Sequence, residues 1–358
     1  MGNTNRLKIG KTYSIRPEAG GLTVYDKTLH KFFYLEGMTT EDVKKEVPAL
    51  DIAGFELFMR NHESSMTPNP ETDRPLYIGW QQSSECNLDC IYCFADNTLH
   101  QGNTADIIEV TKSVLALDPV CVGLSGGEPT LNKRLPEIME MFQGRVDCIL
   151  NTNGTTPLLQ QLVPQLQQDG TLVRISIDST ENAVQNSLRP YKGNRSLDFD
   201  QMKLIRKSIE MLLEADVPLE IHTVLSARNV DHLDRTAEDL IAMGVRRWHL
   251  YRMDFSPKCA DIYEEIRIDH DQIATIYQNL QERYGDRLDI TAATTTASRE
   301  KAILLIDSTG RFMVKDKDQQ VIFVGNDPKA PTPEEVFETV DFEVHKRCYY
   351  VNYAEQSS

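Results

Sequence analysis

Three cysteines occupy the run Cys86-Asn-Leu-Asp-Cys90-Ile-Tyr-Cys93, a CxxxCxxC spacing. Such a run supplies three thiolates to an iron–sulfur cube that takes four ligands, so one iron stays open. An open iron can bind a small molecule and pass it an electron, whereas a cluster that only carries electrons is closed by a fourth cysteine. Two other uses of the thiols fit less well. A structural zinc site wants a fourth Cys or His at matching spacing, and the nearest candidate is His100. A disulfide framework is denser and even-numbered, while this chain has 7 Cys in 358 residues and no secretory apolar segment at its start. The thiols therefore point to a reducing cytoplasm. Cys121 and Cys148 fall within expected strands as small buried hydrophobes, and Cys259 and Cys348 are too few for a second cube, so one 4Fe-4S cluster is expected.

The elements that must hold this loop are legible in the pattern around it. Short apolar runs at 75–80, 120–124, 146–150, 172–177, 219–224 and 247–251 alternate with amphipathic stretches such as 156–168 and 198–215, the latter opened by Asp198 in capping position. Six strands alternating with helices predict parallel β/α units, and in such folds chemistry gathers at the C-terminal ends of the strands. The candidates therefore lie just after each run. The 38 Lys and Arg against 54 Asp and Glu give a net charge of −16, which argues against a broad nucleic-acid surface. No apolar run is long enough to cross a bilayer.

At these strand ends the sequence is similar to the radical S-adenosylmethionine (SAM) enzymes. CNLDCIYC, with Tyr92 as the aromatic residue before the third cysteine, resembles their cluster signature. Ser125-Gly126-Gly127-Glu128-Pro129 resembles their GGEP motif, Asn153 lies in a TNG-like ending, and Ser176-Ile-Asp178 resembles the fourth strand. Arg189-Pro-Tyr-Lys-Gly193 resembles the following R-x-x-x-G, and Thr223 and Tyr251 match the fifth and sixth strands more loosely. The resemblance implies an α/β fold with a partial (β/α)6 barrel. It implies that Cys86, Cys90 and Cys93 bind the cluster and that the open iron chelates SAM. Reductive cleavage then gives a 5'-deoxyadenosyl radical that abstracts hydrogen. Gly126, Gly127, Glu128 and Pro129 would meet the SAM amino group, Ser176 its ribose or carboxylate, and Arg189 its carboxylate. Tyr92, Asn153, Asp178, Thr223 and Tyr251 complete the expected cofactor contacts.

The first 62 residues carry R-P-E-x-G-G-x-x-x-Y-D from Arg16 to Asp26 and then Phe33-Tyr34-Leu35. This resembles the PqqD-related precursor-recognition domains fused to radical SAM enzymes in ribosomal peptide maturation, where a leader peptide adds a strand to a β edge. The expected layout is a small α+β segment at 1–62, the barrel at 74–259, and a C-terminal α/β extension at 260–358 capping its open side. The expected substrate is a precursor peptide, epimerised or crosslinked, with a flavodoxin- or ferredoxin-type electron donor and neither nucleic acid nor membrane as partner. Cys259, after the sixth run, is the candidate hydrogen donor. Removing 1–62 would then leave SAM cleavage intact. A radical SAM enzyme acting on a small metabolite, such as a sugar, nucleoside or nucleotide, and a non-catalytic iron–sulfur or peptide-binding protein are the alternatives.

Overall fold

The computed structural model describes residues 6–67, 72, 74–93, 106–292, 300–316 and 320–349. His100 lies outside them. The chain opens with an antiparallel meander of four strands in the order β1 (Leu7–Ile9), β2 (Tyr13–Glu18), β3 (Gly21–Asp26) and β4 (Lys31–Glu36), followed by helices Thr40–Glu46 and Ile52–Asn61. Both helices start on a side-chain cap, Thr39 in a capping box with Asp42 and Asp51 on Gly54.

Next come β5 (Tyr77–Gln81), β6 (Cys121–Ser125), β7 (Asp147–Thr152), β8 (Leu172–Ser176), β9 (Leu219–Leu225) and β10 (Arg247–Arg252), each parallel to its neighbour. These are the six expected strands of the partial barrel. Their outward side chains, among them Ile78, Val122, Leu150, Ile175, Ile221 and Trp248, pack under the helices in one continuous core. The helix before β9 runs Gln201–Glu214 and is capped by Asp200, two residues later than the sequence suggested. The Asp200 carboxylate reaches the Lys203 N–H.

Residues after 260 join the same sheet at both margins. β11 (Asp289–Ala292) adds parallel to β10, while β12 (Leu304–Ile306) adds parallel to β5 and is followed by the antiparallel β13 (Phe312–Lys315) and β14 (Val321–Phe323). The extension thus enters the open side of the barrel from its two edges. Among the described residues no helix is long and apolar enough to cross a membrane.

The meander covers the other end of the barrel. All six residues of β3 are buried, because the sheet is covered on both faces. Leu22, Val24, Phe33 and Leu35 face the segment's own helices, where Val43, Phe55 and Phe58 lie. Tyr25, Phe32 and Tyr34 face the start of the barrel strands, against Leu76, Val120, Cys121, Ile149 and Leu172. Charges fix this seam. Arg16 donates to the carbonyls of Pro75 (2.9 Å) and Asp118 (2.7 Å) and pairs with Glu18 at 2.6 Å, and Lys27 reaches Asp147 at 3.0 Å. The sequence reading treated residues 1–62 as separable; removing them would strip an aromatic floor from the barrel. The outer edge of β4 is also partly covered, by a Leu35–Met66 bridge and a Thr67 N–H bond to the Tyr34 carbonyl.

Candidate active site

The loop after β5 carries the three cysteines, and main-chain bonds hold it from two sides. Gly127 N–H donates to the Ser83 carbonyl and Glu128 N–H to the Glu85 carbonyl, both at 2.7 Å. Opposite, Asp89 N–H donates to Pro190 O (2.8 Å), Ile91 N–H to Leu188 O (3.0 Å) and Lys192 N–H to Asn87 O (2.8 Å). The glycine pair is needed for this approach. A Cβ on Gly126 would sit 2.5 Å from the Ser83 oxygen, and one on Gly127 only 2.1 Å from that of Glu85. Sequence reasoning gave these glycines to ligand approach; here they seat the cysteine loop.

Glu128 is turned inward. Its Oε1 accepts from Thr130 N–H (3.1 Å), from Thr152 Oγ1 (2.6 Å) and from the Thr130 hydroxyl, and its Oε2 from Asn153 N–H (2.7 Å). The carboxylate caps the short 3-10 turn Pro129–Leu131 and ties it to the end of β7. Burial raises its pKa, against the pull of these donors. Asn153 extends the bracket, its amide donating to Asn87 Oδ1 at 2.7 Å, while Asn87 donates to Thr155 Oγ1 at 2.7 Å.

On the other side Tyr92, Asp178 and Arg189 form one buried unit. Arg189 Nε donates to Asp178 Oδ2 and to the Tyr92 oxygen, each at 2.9 Å, and the Tyr92 hydroxyl bonds the same carboxylate oxygen. Asp178 Oδ1 accepts from Val224 N–H at 3.0 Å, and Asn229 donates to the Asp178 carbonyl at 2.9 Å. The guanidinium lies over the Tyr92 ring (5.7 Å) and hydrogen-bonds protein through Nε, and its two terminal nitrogens have no hydrogen-bond partner among the described residues. Ser176, half-buried at the end of β8, likewise has no side-chain partner there. A fork of two N–H donors and a hydroxyl suit a carboxylate.

The thiols fit a cluster. Burial pushes Cys90 up to about 12 and raises Cys86 as well, and the neighbouring sulfurs add to both rises. Buried thiols of this kind are held as thiolates by a metal centre, which displaces their protons. They do not converge as ligands of a single ion, and no such group exists among the described residues. A zinc ion needs its sulfurs at one tetrahedral centre. A cube presents a separate iron to each.

Three expected contacts lie elsewhere. Thr223 is fully buried on the helix side of β9, its hydroxyl donating to Ile177 O and accepting from Trp248 Nε1 (2.8 Å), so it packs and does not face a cofactor. Tyr251 faces into the barrel with its ring against His249 (4.4 Å) and His222 (4.9 Å). Cys259 is not an open thiol. It ends the 3-10 turn Pro257–Cys259, bonds Ser256 O at 3.3 Å, and packs with Tyr92, Leu188 and Met253.

Sequence reasoning missed Asn87 and an inward-facing polar set on β8 to β10. Arg174 Nε pairs with Glu220 at 2.7 Å, and Glu220 holds His222 Nε2 at 2.8 Å. Although burial opposes it, Arg174 keeps the Glu220 carboxyl well below the usual range. The available signal was polar residues at every second position of otherwise apolar strands.

Residues 82–240 match the Radical SAM superfamily. The chain is 25% identical over 233 residues to an AdoMet-dependent heme synthase of Methanosarcina barkeri, covering 62% of this chain and 63% of that one. It is 31% identical over 148 residues to a probable GTP 3',8-cyclase of Pyrococcus abyssi (40% and 45%), and 24% over 198 residues to a PqqA peptide cyclase of Ruegeria pomeroyi (52% and 50%). It therefore spans 45% to 63% of the length of these three relatives. Two solved structures share the fold. They are anSMEcpe with bound AdoMet (TM-score 0.57, 18% identity, 77% and 83% covered) and Streptococcus suis SuiB bound to its precursor peptide SuiA (0.60, 13%, 86% and 82%). With its three-cysteine loop seated on the GGEP turn of a parallel partial barrel, the chain carries a radical SAM domain over residues 82–240, and that family uses a 4Fe-4S cluster and SAM.

Proposed function

We propose that this protein is a radical SAM enzyme that abstracts hydrogen from a ribosomally synthesised peptide, leading to epimerisation or crosslinking. The observation that carries the radical chemistry is the seating of the three-cysteine loop on the Gly126-Gly127 turn. When bound, the cluster supplies the electron that cleaves SAM to methionine and a 5'-deoxyadenosyl radical. Cys86, Cys90 and Cys93 hold the cluster, and the open nitrogens of Arg189 with Ser176 hold the SAM carboxylate. Glu128, Asn153, Tyr92 and Asp178 keep the two halves of the site in place.

The peptide reading draws on the relatives, since one is a PqqA peptide cyclase and SuiB binds a precursor peptide. We assign 1–62 to leader recognition, 74–259 to the barrel and 260–358 to the extension, in a reducing cytoplasm. A leader adding a strand to β4 would displace Met66 and Thr67. The metabolite reading is favoured by the GTP cyclase and heme synthase relatives. One experiment separates the readings. Anaerobically reconstituted protein, given dithionite and SAM, should release 5'-deoxyadenosine. Run in D2O, the same reaction should change the mass of peptides encoded beside the gene, which gain a deuterium on epimerisation and lose two hydrogens on crosslinking. A mass change confined to small metabolites would replace the peptide reading, and failure to release 5'-deoxyadenosine would remove the radical reading altogether.

A further inference from the structure

Epimerisation and crosslinking ask opposite things of a protein once a peptide radical exists. Epimerisation needs a hydrogen donor, whereas crosslinking needs a base for a second hydrogen that leaves as a proton. The thiols outside the cluster loop lie away from the open barrel. Cys121 and Cys259 are fully buried, Cys148 packs outward under the helices, and Cys348 is exposed on the helix Phe342–Tyr349. A base stands inside the barrel instead. His222 on β9 is the strand partner of Ser176 on β8 and comes two residues before Val224, whose N–H holds Asp178. Its Nε2 meets Glu220 Oε2 at 2.8 Å, and the same oxygen takes Arg174 Nε at 2.7 Å. Because Arg174 keeps this carboxylate ionised, it can only accept; Nε2 therefore carries the ring proton and Nδ1 keeps its lone pair. That Nδ1 has no hydrogen-bond partner among the described residues, and the side chain keeps 13% of its surface open. Burial lowers the imidazole pKa; Arg174 and Arg247 add to this and Glu220 opposes it. The other titratable groups around the ring are His249 and Tyr251 on β10 and His30 of the meander.

Resting on the function proposed above, we infer that His222 is the general base of the reaction, that Glu220 and Arg174 position it, and that the product is a crosslink. The peptide radical forms a bond to a second residue of the peptide. The hydrogen on the receiving atom leaves as a proton to His222 Nδ1, and its bonding pair stays on the peptide. One electron then passes to the 4Fe-4S cluster that SAM cleavage has oxidised. The peptide thus loses two hydrogens, one to 5'-deoxyadenosine and one to the imidazole. The imidazolium lies against the Glu220 carboxylate, which stabilises it as the third member of such a relay does.

The test separates hydrogen abstraction from proton loss. In D2O the wild-type product should lack two hydrogens and carry no new deuterium at carbon. In His222→Gln, which keeps a donor for Glu220 but has no basic lone pair, 5'-deoxyadenosine should still form and still take deuterium from a deuterated peptide. Crosslinked peptide should fall about 100-fold or more. The wild-type crosslinking rate should drop as the imidazole is protonated, below about pH 6.5, and this acid limb should be missing from the residual rate of His222→Gln. Long-range 1H–15N NMR of the metal-free protein should place the His222 ring proton on Nε2, and Glu220→Gln should mix the two tautomers and slow crosslinking about tenfold or more. Wild-type crosslinking in His222→Gln, or a ring proton found on Nδ1, would overturn the inference. So would a peptide that gains one deuterium without losing two hydrogens. A wild-type enzyme that forms 5'-deoxyadenosine but leaves every peptide encoded beside the gene unchanged would instead overturn the peptide reading on which the inference rests.

Discussion

The two ends of the barrel are both dense in buried charge, yet they leave different things undone. At the floor, Arg16 places its donors on two carbonyls and Glu18, and Lys27 meets Asp147. These four charges are answered from within the chain, as a structural seam requires. At the mouth, Arg189 spends one nitrogen on protein hydrogen bonds and leaves two, Ser176 leaves its hydroxyl, and burial raises the Cys86 and Cys90 thiols despite the nearby Lys192 and Arg189. An unused fork and hydroxyl beside three thiols on one loop mark where a ligand belongs.

The sharpest way to break this contrast is to empty the mouth. Replacing Cys86, Cys90 and Cys93 by Ala should abolish cluster absorbance and SAM cleavage completely while leaving the melting temperature of the metal-free protein nearly unchanged. Wild type should hold about four irons per chain, and near eight would show a second cluster. Attacking the floor should do the reverse. Arg16→Met leaves Glu18, 1% exposed, with Arg74 at 2.9 Å as its remaining ion-pair partner and orphans the Pro75 and Asp118 carbonyls, and should cost about 1–3 kcal/mol in chemical denaturation. Iron per folded chain should not change. Deleting 1–62 should yield insoluble protein, because Tyr25, Phe32 and Tyr34 no longer cover the strand starts.

His345 offers a pH probe of the floor. It accepts the Leu76 N–H at Nε2 (3.0 Å), so Nδ1 carries the proton bonded to Ala302 O (2.6 Å), and burial lowers its pKa to about 4. The unfolded chain binds the proton near pH 6.5 and the folded one only near 4. The stabilisation is therefore complete above about 6.5 and lost as pH falls through 4, roughly 3 kcal/mol in all. A His345→Gln variant should flatten that part of the stability profile. The smallest effect divides the mouth itself. Arg189→Lys keeps a charge for Asp178 but loses the fork, and should weaken SAM binding about tenfold, measured by calorimetry on the reconstituted protein. Glu128→Gln should lower stability more than SAM affinity, since its carboxylate already has four internal donors.

By itself the sequence determined the six parallel strands, their order and the three-thiol loop. Alternating apolar runs and amphipathic stretches admit few other folds, and CxxxCxxC is a local arrangement that needs no distant partner. The destination of each side chain was decided only by the tertiary structure. Whether Glu128 faces a ligand or Thr152, whether Cys259 is open or packed under Tyr92, and whether β3 has one wet face or none depend on residues tens of positions away. A strand's period fixes which residues share a face. Only the packing of separate segments fixes what that face meets, which is why the N-terminal meander read as an appendage and folds as the floor of the barrel.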